Sequence, residues 1–495
     1  MKALLINPLI PDTFWNFRHV MKLIRKKAFH VPLGLMTVAA MFPREWDIKI
    51  VDMNAENLLD DLIEWADLVF IGAMIVQKES VQQIIDKCRT LGKAVVGGGP
   101  LFTSCPEDFA DVDYLVLNEA EITLPMFLND LANGKLQRVY ATEEKPDITM
   151  TPIPRWDLID INDYASMSVQ YSRGCPFDCE FCDITNLYGR YPRVKSNEQM
   201  IREFDKLYEI GWRGSLFIVD DNFIGNKTKV KTLLRELRSW QETRNFPFTF
   251  YTEASVNLAQ DEELMKLMTA AGFGHVFLGL ETPQEECFAE CSKHQNLSMD
   301  LVDAVKTIQR NGMEVMGGFI IGFDNDPPDI FERQIKFIQN SGVVLAMIGL
   351  LNAPPGTRLY RRLKEEGRLL DDCTGDNCDG TMNFIPKMNP QVIKERYNSV
   401  LNYLYSPKEY YMRLLEFLGT YRPARRRPIT LLGIIAFFNS VFYLGIFDKF
   451  SNSIYFWKLL FRALIFYRQS LGEAVMLMMF GYHFRKLLIK KATVT

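Results

Sequence analysis

Short apolar runs alternate with amphipathic segments along the first part of the chain. The apolar runs predict β-strands at residues 3–7, 48–52, 68–73, 94–97 and 114–117, and segments of helical spacing predict helices at residues 34–41, 57–65, 81–91 and 124–133. This alternation is typical of a parallel α/β sheet. We therefore predict a five-stranded, doubly wound α/β domain over residues 1–142.

A second alternating series follows a linker. Residues 143–156 contain three prolines and little periodicity, so we predict a linker over residues 143–166. Strands are then predicted at residues 167–172, 215–220, 248–254, 275–280, 314–321 and 344–351. Six strand and helix alternations predict a partial (β/α)6 barrel of the TIM type over residues 167–390, with its chemistry at the C-terminal ends of the strands.

The last part of the chain, residues 391–495, changes to helical segments rich in aromatic side chains. Residues 429–447 carry no formal charge, a length just below the roughly 20 apolar residues of a membrane-spanning helix. Residues 455–480 mix Trp457 and Phe461 with Lys458 and Arg462, as an interfacial amphipathic helix does. Three alternatives follow: contact with a membrane surface, a helical cap packed on the barrel, and a membrane span.

Composition and charge narrow the functional classes. The chain has 57 basic and 61 acidic residues, a net charge of -4, so no sequence-wide field attracts nucleic acid and we expect no nucleic-acid partner. The first residues lack the features of a signal peptide, which predicts a cytoplasmic protein. Nine cysteines, three of them within eight residues, favour thiolate ligation in a reducing compartment over a disulfide framework.

The three crowded cysteines are Cys175, Cys179 and Cys182, in a C-x3-C-x2-C array directly after the first predicted barrel strand. Three thiolates on one loop can hold three irons of a [4Fe-4S] cluster and leave the fourth iron open to a small molecule with an amine and a carboxylate. Structural zinc would require a fourth protein ligand, and no His or Cys follows at finger spacing. Zinc, or three unrelated buried cysteines, is the weaker alternative.

This array at the end of a first barrel strand resembles the signature of radical S-adenosylmethionine (SAM) enzymes. The resemblance implies SAM contacts at the ends of the later strands. Phe181 would lie near the adenine, Asp220 and Asp221 would hold the methionine amino group, and Glu253 and Glu281 would bind the ribose or carboxylate, with Ile321 and Pro354 on the last two strand ends. The alternatives are ion pairs for the two glutamates and a helix cap for the two aspartates.

The doubly wound domain before the barrel resembles that of cobalamin-binding radical SAM proteins. The resemblance implies cobalamin contacts from Asn54, Gly97, Gly98, Gly99 and Glu119. From the residues alone, three successive glycines allow close backbone approach to a bulky ligand, and a tight strand-to-helix turn explains them equally well. The cobalt-ligating histidine of a D-x-H-x-x-G motif is absent after the second strand, so the lower cobalt ligand is unassigned. For His19 and His30, the histidines of this domain, we expect surface or core roles.

The segments CEFCDITNLYGRYPR, FIVDDNFIGN and FTFYTEAS are similar to a cobalamin-type radical SAM subgroup that includes hopanoid C-2 methylases. The resemblance implies [4Fe-4S], SAM and cobalamin as cofactors, an external one-electron reductant, and methylation of an unactivated carbon of an apolar, lipid-like substrate through a 5′-deoxyadenosyl radical. Contact with the inner face of the membrane would suit such a substrate. Cyclisation or rearrangement without methyl transfer, and a non-catalytic cobalamin-binding or regulatory Fe-S protein, are the alternatives.

Overall fold

Two parallel β-sheets form the framework of the protein. The computed structural model describes residues 1–370, 373–425 and 431–494. The strands are β1 (Lys2–Asn7), β2 (Ala28–His30), β3 (Asp47–Asp52), β4 (Leu68–Gly72), β5 (Ala94–Gly98), β6 (Tyr114–Val116), β7 (Val139–Tyr140), β8 (Tyr164–Val169), β9 (Ser172–Arg173), β10 (Arg193–Val194), β11 (Gly214–Ile218), β12 (Phe248–Ala254), β13 (Phe273–Glu281), β14 (Glu314–Ile321) and β15 (Ala346–Leu350).

Helices separate most of these strands and make up most of the described C-terminal region. They are α1 (Arg18–Met21), α2 (Leu33–Ala39), α3 (Asp60–Trp65), α4 (Lys78–Thr90), α5 (Pro100–Ser104), α6 (Ala120–Ala132), α7 (Ile184–Tyr188), α8 (Asn197–Glu209), α9 (Lys227–Thr243), α10 (Glu262–Ala271), α11 (Glu285–Glu290), α12 (Leu301–Arg310), α13 (Ile330–Ser341), α14 (Arg358–Glu365), α15 (Pro390–Leu404), α16 (Pro407–Thr420), α17 (Leu431–Ser440), α18 (Phe450–Phe466) and α19 (Leu471–Val494).

The first sheet has the strand order β3-β1-β4-β5-β6-β7 and is parallel throughout. Alternate residues of β1 are buried on opposite faces: Ala3 and Leu5 on one, Leu4 and Ile6 on the other. Burial on both faces is the mark of a sheet covered by helices on each side, and it confirms the doubly wound α/β prediction. The additional strand is β7, which is two residues long and therefore too short for a recognisable period.

The second sheet has the order β15-β14-β13-β12-β11-β8-β2, again parallel throughout. Its first and last strands do not pair with each other among the described residues, so the barrel is partial, as predicted. The edge strand β2 comes from the N-terminal part of the chain, and its Ala28 and His30 pair with Tyr164 and Ser166 of β8. This strand was not predicted from the sequence, and it joins the two α/β units directly.

The C-terminal helices pack on the barrel and on each other. Helices α15 and α16 contact α13, and α19 contacts α1, α16 and α18. Of the uncharged stretch predicted at residues 429–447, residues 429 and 430 lie outside the described residues; the rest forms α17 and a π-helical stretch, Val441–Ile446. The segment 455–480 is divided between α18 and α19 by a break at Tyr467. Within the described residues, no helix combines the length and apolarity needed to cross a membrane.

An ion-pair network holds the first sheet against the barrel. It consists of Glu119 and Glu121, at the start of α6, and of Arg173 on β9 and Arg193 on β10. Arg173 contacts Glu119 and Glu121 at 2.8 Å each, and Arg193 contacts Glu119 at 2.7 Å. All four side chains are largely buried. Because buried charges are costly without partners, the two units must keep this relative position.

The network changes the acidity of Glu121. Burial by itself would raise the pKa of Glu121, but the hydrogen bonds and charge of Arg173, with a hydrogen bond from Thr151, outweigh it and lower the pKa to about 2. A carboxyl whose pKa is lower in the folded than in the unfolded protein stabilises the fold fully at pH values above its ordinary pKa of 4.5. This stabilisation is lost as the pH falls through the pKa of the folded protein.

Replacing Glu121 by Gln removes one charged partner of Arg173. We expect Glu121→Gln to lower the free energy of unfolding at pH 7 by about 3 kcal/mol, because a buried cation loses its counter-charge. The difference from the unsubstituted protein should shrink by more than half at pH 3, because the Glu121 carboxyl is then protonated in the unfolded protein and must give up its proton on folding. Urea unfolding of the apo protein at the two pH values measures both.

The matched control is Glu262→Gln, which removes an exposed partner of Lys266 one helical turn away. An exposed pair of this kind contributes less than about 0.5 kcal/mol. Equal losses in the two variants would contradict the role assigned to the network.

Candidate active site

The three cysteines of the predicted cluster site lie on a loop that begins at Gly174, directly after β9. Gly174 has φ +95°, and a Cβ here would lie 2.8 Å from the carbonyl oxygen of Gly189. The Gly174 amide donates a hydrogen bond to Asp221 Oδ2 at 2.9 Å. Only glycine combines this backbone conformation with this close approach, so the start of the loop is fixed by its sequence.

Contacts from α14 and from the segment after α11 hold the rest of the loop. Arg362 donates two hydrogen bonds to the Glu180 carboxylate, at 2.8 and 3.0 Å. The backbone amide of Glu180 donates to the Cys291 carbonyl at 2.8 Å, and Arg358 donates to the Asp178 carbonyl at 2.5 Å. These contacts fix the position of residues 178–180 of the loop relative to α14 and Cys291.

The three thiols lie on one loop in a buried environment, where they could hold a cubane cluster. Burial raises the pKa of Cys175, Cys179 and Cys182, and their charges act on one another. No set of three or more His, Cys, Asp or Glu side chains in the described part of the chain could hold a single metal ion. A [4Fe-4S] cluster makes a different demand, because each thiolate binds its own iron and the ligands stand farther apart. Amide groups face two of the thiols, with Asn222 Nδ2 3.9 Å from Cys175 Sγ and Gln295 Nε2 3.7 Å from Cys179 Sγ.

The two predicted aspartates have different roles after β11. Asp220 is buried and accepts hydrogen bonds from the amides of Tyr171 and Ser172, at 2.7 and 2.8 Å, and from the Ser172 hydroxyl at 2.6 Å. Its carboxylate therefore positions β9. Asp221 accepts the Gly174 amide and also lines the large cavity described below. Burial raises the pKa of Asp220 to about 7 and that of Asp221 to about 6.

Glu253 and Glu281, both predicted to bind SAM, differ in their partners. Glu281 is buried, has φ +58° and forms an ion pair with Lys293, whose ammonium lies 5.8 Å from the centre of the Phe181 ring. For Glu253 no hydrogen-bond or ion-pair partner occurs among the described residues. Burial, then the charges of Asp221 and Asp220, raise the pKa of Glu253 to about 8. The ion-pair alternative thus describes Glu281 and not Glu253.

The remaining predicted SAM residues surround the cluster loop. Phe181 is half-buried, with its ring 6.3 Å from that of Phe323. Pro354 precedes α14 and accepts a hydrogen bond from the Thr357 hydroxyl at 2.7 Å. The Ile321 side chain is fully buried in the main core, so only its backbone can face a ligand. Sequence reasoning missed Lys293 and Gln295, because nothing in their local sequence indicates proximity to a loop more than a hundred residues earlier.

A cavity of about 600 Å³ lies between the C-terminal strand ends of the first sheet and the start of the cluster loop. All five residues predicted to contact cobalamin line it: Asn54, Gly97, Gly98, Gly99 and Glu119. Their polar side chains are already engaged, since Asn54 donates to Asp52 at 2.8 Å and Glu119 binds the two arginines of the ion-pair network. Asp221, Tyr188 and Val219 form the opposite wall, on the barrel side.

The glycine run at residues 97–99 is compatible with both a tight strand-to-helix turn and close backbone approach to a bulky ligand. A Cβ on Gly97 would lie 2.6 Å from the Phe102 ring, and Gly99 has φ +87° with the Ala73 backbone 3.3 Å from its Cβ position. The glycines are therefore needed for the tight strand-to-helix turn into α5. They also leave a wall of bare backbone on the cavity, which is what a large planar ligand requires.

His30 also lies on the cavity wall. Its Nε2 is 2.8 Å from the Tyr251 hydroxyl, which in turn donates to Ser166 Oγ at 2.9 Å. Burial lowers the pKa of His30 to about 4, so the imidazole is neutral at pH 7. This chain of hydrogen bonds links β2 to Tyr251 on β12 and Ser166 on β8, two strands of the barrel.

Three family models match successive parts of the chain. The profile described as B12 binding domain matches residues 21–128, and the profile of the Radical SAM superfamily matches residues 169–338. A domain of unknown function, DUF4070, matches residues 357–493.

Relatives extend the match to most of the chain. An uncharacterized methyltransferase of Synechocystis sp. is 48% identical over 83% of this chain and 77% of its own. The hopanoid C-2 methylase of Rhodopseudomonas palustris is 33% identical over 97% of this chain and 92% of its own.

Solved structures share the fold. The cobalamin-dependent SAM radical enzyme OxsB, with aqua-cobalamin and SAM bound, has a TM-score of 0.66 at 14% identity, covering 100% of this chain and 80% of that one. The radical SAM methyltransferase TsrM from Kitasatospora setae, with cobalamin and a [4Fe-4S] cluster bound, has a TM-score of 0.63 at 14% identity, covering 97% and 99%. Together with the two relatives, these matches show that the chain belongs to the cobalamin-binding radical SAM family, as a methyltransferase whose cofactors are a [4Fe-4S] cluster, SAM and cobalamin.

Proposed function

We propose that this enzyme methylates an unactivated carbon of an apolar, lipid-like substrate. The observation that carries the proposal is the continuous cavity, which has the glycine wall of the first sheet on one side and Asp221, next to the cluster loop, on the other. A substrate carbon placed in it would lie between the two cofactor sites. The relative named hopanoid C-2 methylase, which matches 97% of this chain, supports a substrate of this class.

The proposed roles follow from the positions of the residues. Cys175, Cys179 and Cys182 would hold the cluster, and the glycine run with Asn54 would face cobalamin. When bound, the cluster and SAM supply the hydrogen-abstracting radical, cobalamin supplies the methyl group, and an external one-electron donor reduces the cluster. The chain itself binds and orients these groups and excludes water.

The acidic groups near the loop would orient SAM. Asp221 lies on the cavity wall beside Gly174, where a carboxylate can accept from the methionine amino group. Glu253, whose raised pKa of about 8 keeps it mostly protonated at pH 7, can donate a hydrogen bond to a ribose or carboxylate oxygen. Lys293 neutralises Glu281 and presents positive charge to Cys179. Asp220 acts as a positioning residue through β9.

Aromatic side chains on the barrel strands suit an apolar substrate. Phe217 and Tyr251 stack with ring centres 4.7 Å apart, and Phe277 packs edge-on against Trp15 at 5.4 Å. The rings of Phe217, Tyr251 and Phe277 are half-buried. Along their strands they alternate with residues that are more deeply buried. A lipid-like substrate resides in a membrane, so the proposal includes contact of the enzyme with the inner membrane surface.

The proposed reaction is tested with deuterated-methyl SAM. The anaerobically reconstituted enzyme, with cobalamin, a reductant and an apolar lipid extract, should give a lipid product that carries the deuterated methyl group. Deoxyadenosine formed together with an unlabelled but altered lipid would contradict methyl transfer and favour cyclisation or rearrangement. Absence of any SAM cleavage would favour the non-catalytic alternative.

Removing one cluster thiol should eliminate the cluster. We expect Cys179→Ala to lose bound iron and iron–sulfur absorbance, and with them SAM cleavage, because two thiolates on this loop do not hold the cubane. The control Cys88→Ala alters a buried cysteine in the core of the first domain and should retain both. Iron analysis and deoxyadenosine assays measure the difference, and turnover by Cys179→Ala would overturn the cluster assignment.

Filling the cavity from α2 should displace cobalamin. Thr37 lines the cavity, and its hydroxyl donates only within its own helix, to the Leu33 carbonyl at 2.9 Å. We expect Thr37→Trp to weaken cobalamin retention roughly tenfold or more, because the indole occupies ligand volume. The nearly isosteric Thr37→Val should bind as the unsubstituted enzyme does. Cobalamin and iron content are measured together, and equal cobalamin retention in the two variants would move the ligand elsewhere.

A further inference from the structure

The C-terminal helices expose a face of large apolar side chains. Ile434, Phe438, Phe442 and Ile446 recur every four residues along α17 and the π-helical stretch, and Phe461 and Ile465 do so on α18; each is between 43% and 66% exposed. We call these six side chains the apolar patch. Isolated exposed apolar residues are common, whereas a clustered face of this kind marks an interaction site.

The two rows of the patch are joined by Trp457. Its indole Nε1 donates to the Gly445 carbonyl at 3.0 Å, and its ring stacks on Phe461 at 5.8 Å. The opposite side of the same helices is buried, with Leu444, Phe456 and Ala463 in the main core. The patch is therefore the outer side of a packed structure.

The exposed charged side chains of segment 431–470 are all basic. Lys449, Lys458, Arg462 and Arg468 are exposed beside the patch. Asp448 is the acidic residue of segment 431–470, and its side chain is 10% exposed and lies 3.8 Å from Arg485. Apolar side chains interspersed with exposed cations are typical of helices that lie in the interface of anionic membranes, where the cations are attracted to the lipid headgroups.

Helix α17, which carries part of the patch, contacts the chain segment that leads to the cavity. Asn439 of α17 donates a hydrogen bond to the Leu23 carbonyl at 2.6 Å. A few residues further along the chain, Lys27, Phe29 and His30 line the cavity wall. A bilayer in contact with α17 would therefore lie next to the segment that borders the proposed substrate site.

We propose that the apolar patch docks the enzyme on the surface of a bilayer containing anionic lipids, with Phe461 and Ile465 in the acyl boundary and Lys458 and Arg462 on the headgroups. Its purpose, access to a lipid-like substrate, rests on the proposed function. The docking itself does not, since it requires neither cofactor nor substrate.

Flotation with vesicles tests the docking. The full-length enzyme is mixed with substrate-free vesicles of phosphatidylcholine, with or without phosphatidylglycerol. We expect the enzyme to float with the anionic vesicles, and we expect the neutral vesicles to carry several-fold less enzyme. Phe461→Glu/Ile465→Glu should reduce flotation roughly tenfold or more, because two apolar side chains are replaced by anions. Lys458→Glu/Arg462→Glu should remove the preference for anionic vesicles.

The matched control is Met150→Glu, which places the same charge at an exposed apolar residue outside the patch. Met150 is 70% exposed and lies between β7 and β8. This variant should float as the unsubstituted enzyme does, and circular dichroism should show that all variants are folded. Failure of the unsubstituted enzyme to float, or equal flotation of Phe461→Glu/Ile465→Glu, would overturn the proposal. So would a stable dimer that the same double substitution dissociates, because a second copy would then cover the patch.

The outcome separates docking from catalysis. Flotation without transfer of the deuterated methyl group would retain the docking surface and reject the proposed substrate. Methyl transfer to a detergent-dispersed lipid by an enzyme that does not float would retain the proposed substrate and reject the docking surface.

Discussion

The active site depends on the charge of Arg173. This guanidinium lies between the two α/β units, and its donors are taken by Glu119, Glu121 and Gln170. Because a buried cation requires its counter-charges, the edge of the first sheet cannot move away from β9 without exposing them or leaving them unpaired. The next residue, Gly174, begins the cluster loop and binds Asp221. A single ion-pair network thus sets the distance between the cysteine loop and the glycine wall, the distance that matters when two cofactors act on one carbon.

The acidic side chains around the cluster loop are paired with a cation on one side and not on the other, and this difference suits a cationic ligand. On one side Asp220, Asp221 and Glu253 have pKa values raised by burial, and Glu253 has no cation paired with it among the described residues. On the other side Glu281 is neutralised by Lys293. Uncompensated carboxyls in a buried site are costly, and a ligand that brings positive charge removes this cost when it binds. SAM carries both an amino group and a sulfonium, and we therefore propose that it binds on the acidic side.

The sequence predicts the elements that have a local period and misses those defined by distant partners. The six barrel strands and five strands of the first sheet have apolar runs of sufficient length, and the cysteine spacing is local, so all were predictable. Strand β2 has three residues and exists because β8, more than a hundred residues later, offers a free edge. The ion pairs of Glu119 are invisible in the sequence for a similar reason, because Arg173 and Arg193 follow it by 54 and 74 residues. The break at Tyr467 follows no proline or glycine, so a continuous amphipathic segment was the natural prediction.

The C-terminal helices complete the barrel as well as exposing a surface. Within the residues that the structure describes, β2 and β15 do not pair, so the barrel sheet has an open side, next to which the chain around Trp15 packs. Trp15 contacts Phe277 on β13 and Met347 on β15, while its neighbour Phe14 stacks on Phe484 of α19 at 4.1 Å. The same helix therefore supports the segment that covers the barrel interior and packs against α18, which carries part of the apolar patch. One set of aromatic contacts thus positions both the segment over the barrel interior and the helix behind the apolar patch, the surface that we propose docks on a lipid bilayer.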